Sequence, residues 1–112
     1  MKNGLIINDY GDKEWYKDDL LHREEDLPAI LYSTGSKEWY KNGKRHREGG
    51  KPAIEYYDGH KVWYKEGKLH REGGLPAVIS LDGYKEWHYE GTRLNVNSNE
   101  EALRLIKMKV IW

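Results

Sequence analysis

The chain has 112 residues, no cysteine, and 19 basic side chains balanced by 19 acidic ones. A chain of this length supports one domain with a modest buried fraction; the missing cysteine excludes disulfides, thiolate metal sites and thiol nucleophiles, and the cancelled charge removes any general pull toward nucleic acid or anionic membrane. Apolar residues make up only 38%, yet Trp and Tyr number 5 and 9 with no Phe, so rings with polar handles must supply much of the packing.

In chain order, residues 1–10 read as an N-terminal capping strand, and the apolar run within MKNGLIINDY is too short for a secretory signal. A single sentence then recurs every 24 residues over 11–94, three times in full and once in part: GDKEWYKDDLLHREEDLPAILYST, GSKEWYKNGKRHREGGKPAIEYYD, GHKVWYKEGKLHREGGLPAVISLD and GYKEWHYEGTRL. Gly11, Gly35, Gly59 and Gly83 open the copies, Trp15, Trp39, Trp63 and Trp87 follow, and His22, His46 and His70 keep the same interval. A fixed period of this kind marks a stack of supersecondary units that bury their apolar sides against each other.

Within each copy, short runs rich in aromatic and β-branched residues are cut by Asn42-Gly43, Glu66-Gly67, Asp58-Gly59 and Asp82-Gly83, which are hairpin signals. A turn at Asn42-Gly43 sets Trp39 opposite His46, Glu38 opposite Arg47 and Tyr40 opposite Arg45. A two-residue turn at Asp58-Gly59 sets Ile54 opposite Trp63. Carried through the chain, this register gives rows Ile6–Trp15–His22, Ile30–Trp39–His46, Ile54–Trp63–His70 and Val78–Trp87–Leu94, with Glu14 facing Arg23 on the other side. Pro28, Pro52 and Pro76 start a third strand, where a missing amide hydrogen is tolerated. The loop before it reads Glu48-Gly49-Gly50 in one copy but Glu24-Glu25-Asp26 in the first, so positive φ is not required there. Residues 95–112 form a cap: Ser98 and Glu101 make a capping box, and EEALRLIKMKV carries acids first and lysines last, with Leu103, Ile106 and Val110 on one stripe. Such a helix covers the open edge of a repeat, or else docks a partner. The expected fold is an all-β repeat in one domain, an antiparallel hairpin meander with three strands per unit and a short C-terminal capping α-helix.

The strings KEWYKNGKRHREGG and AIEYYDG resemble MORN-type repeats, over roughly residues 11 to 94, and are nearest to the variant whose copies read WYxNGxxHRxxGxPA. That variant is associated with uncharacterised proteins of bacteriophages, giant viruses and some bacteria. What the resemblance implies is a β-hairpin array without enzymatic activity of its own. Standard MORN copies carry a Gly between the Tyr and an acid-aromatic pair and a Gly-x-Gly after the His, where this chain has Lys-Glu-Trp-Tyr and His-Arg-Glu. The phospholipid association attributed to some MORN proteins therefore does not carry over.

Catalysis finds little footing in these residues. With three strands between equivalent positions, His22, His46 and His70 stand nearly 15 Å apart at about 4.8 Å per strand, too far to share one metal ion. The hydroxyls Ser33, Thr34, Ser36, Ser80, Thr92 and Ser98 lie at turns or ends without repeat partners, and recurrent Glu in a sheet makes no cleft. No catalytic residue, metal site or cofactor is expected. Trp15, Trp39, Trp63, Trp87, His22, His46 and His70 read as structural, with each His packing on Trp and donating to a carbonyl. A ladder of Arg23, Arg47 and Arg71 with Tyr16, Tyr40 and Tyr64 offers an alternative reading, a grip on a small ligand or nucleotide. The opposed Glu14 and Glu38 cancel its field and disfavour nucleic acid.

A protein partner suits the chain better, because extended sheets with exposed Trp, Tyr and Arg carry the side chains common at binding hot spots. A site for one partner must break the repeat symmetry. The copies differ at Leu20, Leu21, Glu24, Glu25, Asp26, Tyr56, Tyr57, His60 and Tyr84, which are the candidate interface. Self-association is a second way to cover such a sheet. No segment approaches the length of an apolar membrane span, so a cytoplasmic protein is expected. If the chain is viral, it would act in the host cytoplasm, where a stoichiometric inhibitor of a host defence enzyme is a fitting purpose.

Overall fold

Four loops that are each one residue longer than the turn dipeptides suggest fix the sheet. In the computed structural model, which describes residues 1–108, the amides of Asn8, Tyr32, Tyr56 and Ser80 donate to the carbonyls of Asp12, Ser36, His60 and Tyr84 across three-residue loops. The last residue of each is Gly11, Gly35, Gly59 or Gly83, with φ of +83°, +101°, +100° and +90°. A type I turn closed by a left-handed Gly is the usual three-residue hairpin. The Asp58-Gly59 dipeptide is thus the end of a loop that begins at Tyr57, and the expected two-residue register is corrected by one place. Ile54 lies opposite Val62 and not Trp63, Ile6 opposite Glu14, and Val78 opposite Glu86.

The strands are β1 (Gly4–Ile7), β2 (Lys13–Lys17), β3 (Leu20–Leu21), β4 (Ile30–Leu31), β5 (Lys37–Glu38), β6 (Tyr40–Lys41), β7 (Lys44–Arg45), β8 (Ile54–Glu55), β9 (Lys61–Val62), β10 (Tyr64–Lys65), β11 (Lys68–Leu69), β12 (Val78–Ile79), β13 (Lys85–Tyr89) and β14 (Thr92–Leu94), followed by helix α1 (Asn99–Met108). The fold is the expected antiparallel hairpin meander with a terminal helix. Its main sheet runs β1-β2-β4-β5-β8-β9-β12-β13-β14, with β3 paired to β2. One cross-strand row passes through Ile6, Glu14, Ile30, Glu38, Ile54, Val62, Val78 and Glu86.

The middle units put two strands into this sheet, not three. At Trp39 and Trp63 the chain leaves the ladder, each indole residue giving its amide to a buried alanine carbonyl instead, Trp39 to Ala53 at 2.7 Å and Trp63 to Ala77 at 2.8 Å. Beyond the Trp it forms a second hairpin, β6-β7 or β10-β11, which stands off the sheet as an arm. Here the sequence register holds: Tyr40 faces Arg45 and Lys41 faces Lys44. Asn42 and Gly43 both adopt positive φ, +50° and +82°, the requirement of a tight turn matched to strand twist. Arms stack tip to flank, Gly43 N–H donating to Leu21 O, Gly67 to Arg45 and Gly91 to Leu69. Leu20 lies so close that a Cβ on Gly43 would sit 3.2 Å from its methyl.

Ala29, Ala53 and Ala77 have no exposed surface, and their carbonyls take the amides of Trp15, Trp39 and Trp63. The array measures 45 × 30 × 19 Å. At its end Trp87, Leu94 and Ala102 form a buried cluster with Tyr89, Val96 and Ile106. The Ser98 hydroxyl accepts from Glu101 N at 3.1 Å, as the capping box requires, and α1 covers the last unit. Its fully buried contact is Ala102, which the expected stripe of Leu103, Ile106 and Val110 omitted; Val110 lies outside the described residues.

Gly74 marks where the helix seats. A Cβ there would lie 2.8 Å from Leu103 Cβ and 2.9 Å from Asn99 O, whereas one on Gly73 would meet nothing nearer than 4.0 Å. Both glycines have positive φ, +72° and +76°. Gly73→Ala is therefore expected to cost only the backbone penalty, about 1 kcal/mol. Gly74→Ala adds a clash and should cost about 3 kcal/mol with loss of helical signal, as thermal melts followed by circular dichroism would show.

Candidate functional site

Trp39 and Trp63 are each held from two sides. The Trp39 and Trp63 indoles, both 6% exposed, donate Nε1–H to loop carbonyls of the preceding unit, Asp26 O at 3.0 Å and Gly50 O at 2.9 Å. Trp87 has the helix in that place and donates to Asn99 Oδ1 at 3.0 Å. Over the ring lies an arginine eight residues on: Arg23 at 3.6 Å from Trp15, Arg47 at 3.6 Å from Trp39, Arg71 at 3.8 Å from Trp63. A guanidinium on an indole face is a favourable cation–π contact. The same arginines donate Nη1–H to Pro28 O, Pro52 O and Pro76 O, at 3.2, 3.1 and 3.1 Å.

The expected pairs Glu14–Arg23 and Glu38–Arg47 are therefore not formed. Past the bend at Trp39 the strand no longer carries β5 geometry, and Arg47 turns to the indole. Glu38, only 7% exposed, takes Arg45 Nε–H at 2.8 Å, Tyr40 O–H at 3.2 Å and the Tyr32 hydroxyl. Burial and the Glu38 carboxylate push the Tyr32 hydroxyl above its ordinary value. Burial is the largest single influence on Arg45 and opposes its charge, but the bond to Glu38, the charge of that carboxylate and the nearby Tyr40 and Tyr64 together outweigh it and hold the guanidinium above its usual range. The rings of Tyr40 and Tyr64 flank Arg45, and Tyr16 bonds Glu14 at 3.1 Å. The Tyr and Arg series thus serve different neighbours and do not build one ladder.

The imidazoles bridge units. His22 Nδ1 accepts the amide of Asn42 at 2.9 Å, His46 that of Glu66 at 3.0 Å, His70 that of Glu90 at 2.9 Å, each from the turn of the next arm. With Nδ1 accepting, the proton sits on Nε2, which donates to Glu24, Glu48 and Glu72 at 2.9, 2.7 and 2.9 Å. The expected carbonyl acceptor is in fact a carboxylate. These hydrogen bonds lower the carboxyls of Glu24, Glu48 and Glu72 from their ordinary values.

Two grooves run between successive loops on the Trp side. The first, about 390 Å³, lies over Trp39 between the 22–26 and 46–51 segments; the second, about 420 Å³, lies over Trp63 between 46–51 and 70–75. In the first, Asp26 takes Arg47 Nε–H at 2.9 Å and Nη2–H at 3.3 Å, and Lys51 Nζ–H at 2.9 Å. These bonds, Arg47 first and Lys51 second, hold the Asp26 carboxyl down to about 2. Asp26 and Glu25 sit at φ of +56° and +64°, so positive φ is adopted in this loop even without glycine; the ion pairs help to offset its cost.

The candidate interface residues divide. Tyr56, Tyr57, His60 and Tyr84 fall at or beside the three-residue loops, all on one rim, and Tyr10 and Leu81, which the sequence reading passed over, join them. Tyr10, Tyr57 and Leu81 are 82%, 72% and 68% exposed. The loops stack, with Tyr57 Cβ beside Gly35 and Leu81 Cδ1 beside Gly59. Tyr57 N–H is tied to Ser36 Oγ at 2.9 Å, and His60 Nδ1 pairs with Asp58 Oδ1 at 2.7 Å. The alignment of Tyr57 with Leu81 could have been found from the Gly period, which places 9/33/57/81 in one file. Leu20, Leu21, Glu24, Glu25 and Asp26 lie instead on the first arm and its following loop, where Leu20 packs on the next turn and Glu24 and Asp26 hold His22 and Arg47.

No family model, curated protein or solved structure matches this chain. Among the described residues no helix is long and apolar enough to cross a membrane, and no three His, Asp or Glu side chains converge as a metal site.

Because Asp26 ionises more readily in the fold than in the open chain, its stabilisation is complete above the ordinary aspartate range and fades as pH falls toward about 2. Asp26→Asn should lower the melting temperature near neutrality and flatten its decline over that acid window; melting curves of both proteins against pH measure the difference.

Proposed function

We propose that this chain is a non-enzymatic binding module whose partner is another protein, engaged along the rim of three-residue loops. The observation that carries this reading is the rim of exposed Tyr10, Tyr57, Leu81 and Tyr84 on or beside three-residue loops fixed by the sheet, with Tyr57 and Leu81 each stacked on the loop before. Large, rigid aromatic side chains on an ordered frame lose little entropy on contact and are the commonest hot-spot groups. His22, His46 and His70 are engaged with their own glutamates and with the next turn, and Trp39 and Trp63 with the preceding loops, which supports recognition at positions where the copies differ.

A partner recovered by affinity capture and mass spectrometry would be mapped with a photo-crosslinking phenylalanine analogue placed at Tyr57 and, separately, at Lys44 on an arm. Crosslinks from 57 and none from 44 are expected. Tyr57→Ser with Leu81→Ser should weaken that partner by about 30-fold or more while the melting temperature stays unchanged, since both side chains are exposed. Undiminished capture by the double variant would contradict the reading.

A further inference from the structure

We infer that the groove over Trp63 receives one carboxylate side chain of a partner polypeptide on the guanidinium of Arg71. The inference rests on the reading of the chain as a protein-binding module and adds the chemistry of one contact.

The chain itself supplies the pattern. In the groove over Trp39, the stacked Arg47 presents Nε–H and Nη2–H to the Asp26 carboxylate, and Glu55 adds a contact to Nη1 at 3.2 Å. The corresponding places around Arg71, 24 residues on, are Gly50 and Ile79. Arg71 keeps the same stack on the indole and the same bond to a proline carbonyl, at 3.1 Å to Pro76 O. Among the described residues no carboxylate reaches it. Burial without a counter-charge pushes the guanidinium below its ordinary value. Its fork is thus held in place by ring and carbonyl, with the carboxylate position vacated by a glycine.

The other charges lining this groove are already matched. Glu48 lies 4.0 Å from Lys41 and Glu72 3.8 Å from Lys65, and Arg47 and Lys51 both hold Asp26. One fixed cation therefore remains, which suits the single charge of a carboxylate better than a phosphate dianion, and the planar fork matches a carboxylate bidentately. Leu75 stands where the first groove has Lys51 and is 38% exposed, so an apolar neighbour of the acid has a place to rest. The next equivalent position, Gly74, lies against α1, so the helix takes up that side of the last unit.

The test uses the purified chain and the blocked peptide acetyl-Gly-Asp-Gly-amide, followed by the Nε–Hε resonance of Arg71 and the indole N–H of Trp63. A saturable shift with this peptide and none with acetyl-Gly-Asn-Gly-amide is expected. Gly50→Asp places the carboxylate in the chain itself, at a backbone position where Asp26 shows that Asp is accommodated; it should weaken the peptide tenfold or more and move the Arg71 resonance before any peptide is added. The reciprocal Asp26→Gly should open a second site at Arg47, giving the test a readout that does not depend on the Gly50 variant folding. No saturable shift, undiminished binding by folded Gly50→Asp, or inorganic phosphate bound more tightly than the Asp peptide would overturn the inference. Because no partner is needed, a silent groove defeats this inference alone, and a rim variant that still captures its partner defeats the other reading alone.

Discussion

A neutral imidazole with its proton on Nε2 is the joint on which the stack depends. His22, His46 and His70 each take the turn amide of the next arm on one nitrogen and give a proton to a glutamate of their own unit with the other. No other ordinary side chain offers an acceptor and a donor on opposite sides of one small rigid ring. A lost bond would leave a turn amide facing a buried ring, a penalty comparable to the net worth of several well-made surface contacts. In a quasi-linear array each such joint couples only neighbours, so the same residue must recur in every unit.

That joint sets the rest. It holds the arm tips against the flank of the arm before, which brings each arginine back over its tryptophan and fixes the loop whose carbonyl takes the indole hydrogen. The consequence is that the side chains with the most chemical character are consumed in keeping the units together. What varies is what distinguishes one unit from the next. Three departures stand out: the Asp26, Gly50 and Gly74 series, which makes each groove different; Val62 in place of Glu38, so that Arg45 pairs with the one carboxylate that is buried among the described residues; and the loop tips, which change from Ser33 to Tyr57 to Leu81.

Much of this could be read from the residues, and the errors have physical causes. Asn42-Gly43 demanded two left-handed residues and so specified the arm turn and its register correctly. Asp58-Gly59 has the same look, but a closing Gly serves a three-residue loop equally well, and the dipeptide does not say how many residues precede it. The bend at Trp39 was hidden because KEWYK alternates like an unbroken strand, as its counterpart in the fourth copy, Lys85–Tyr89, indeed is. The full burial of Ala53 and Ala102 escaped notice because a small side chain signals nothing by hydropathy; Ala53 gives its carbonyl to a Trp amide, and Ala102 belongs to the helix seat. Of the candidate interface, the members at the loop file came together, while Leu20, Glu24 and Asp26 differ between copies because they serve the first joint and the first groove.

Long-range nitrogen–proton NMR correlation of the imidazoles addresses the joint itself. His22, His46 and His70 should show a protonated Nε2 and a bare, hydrogen-bonded Nδ1, with scalar coupling from Nδ1 to the amides of Asn42, Glu66 and Glu90. Rings carrying the proton on Nδ1, or exchanging freely between tautomers, would contradict it.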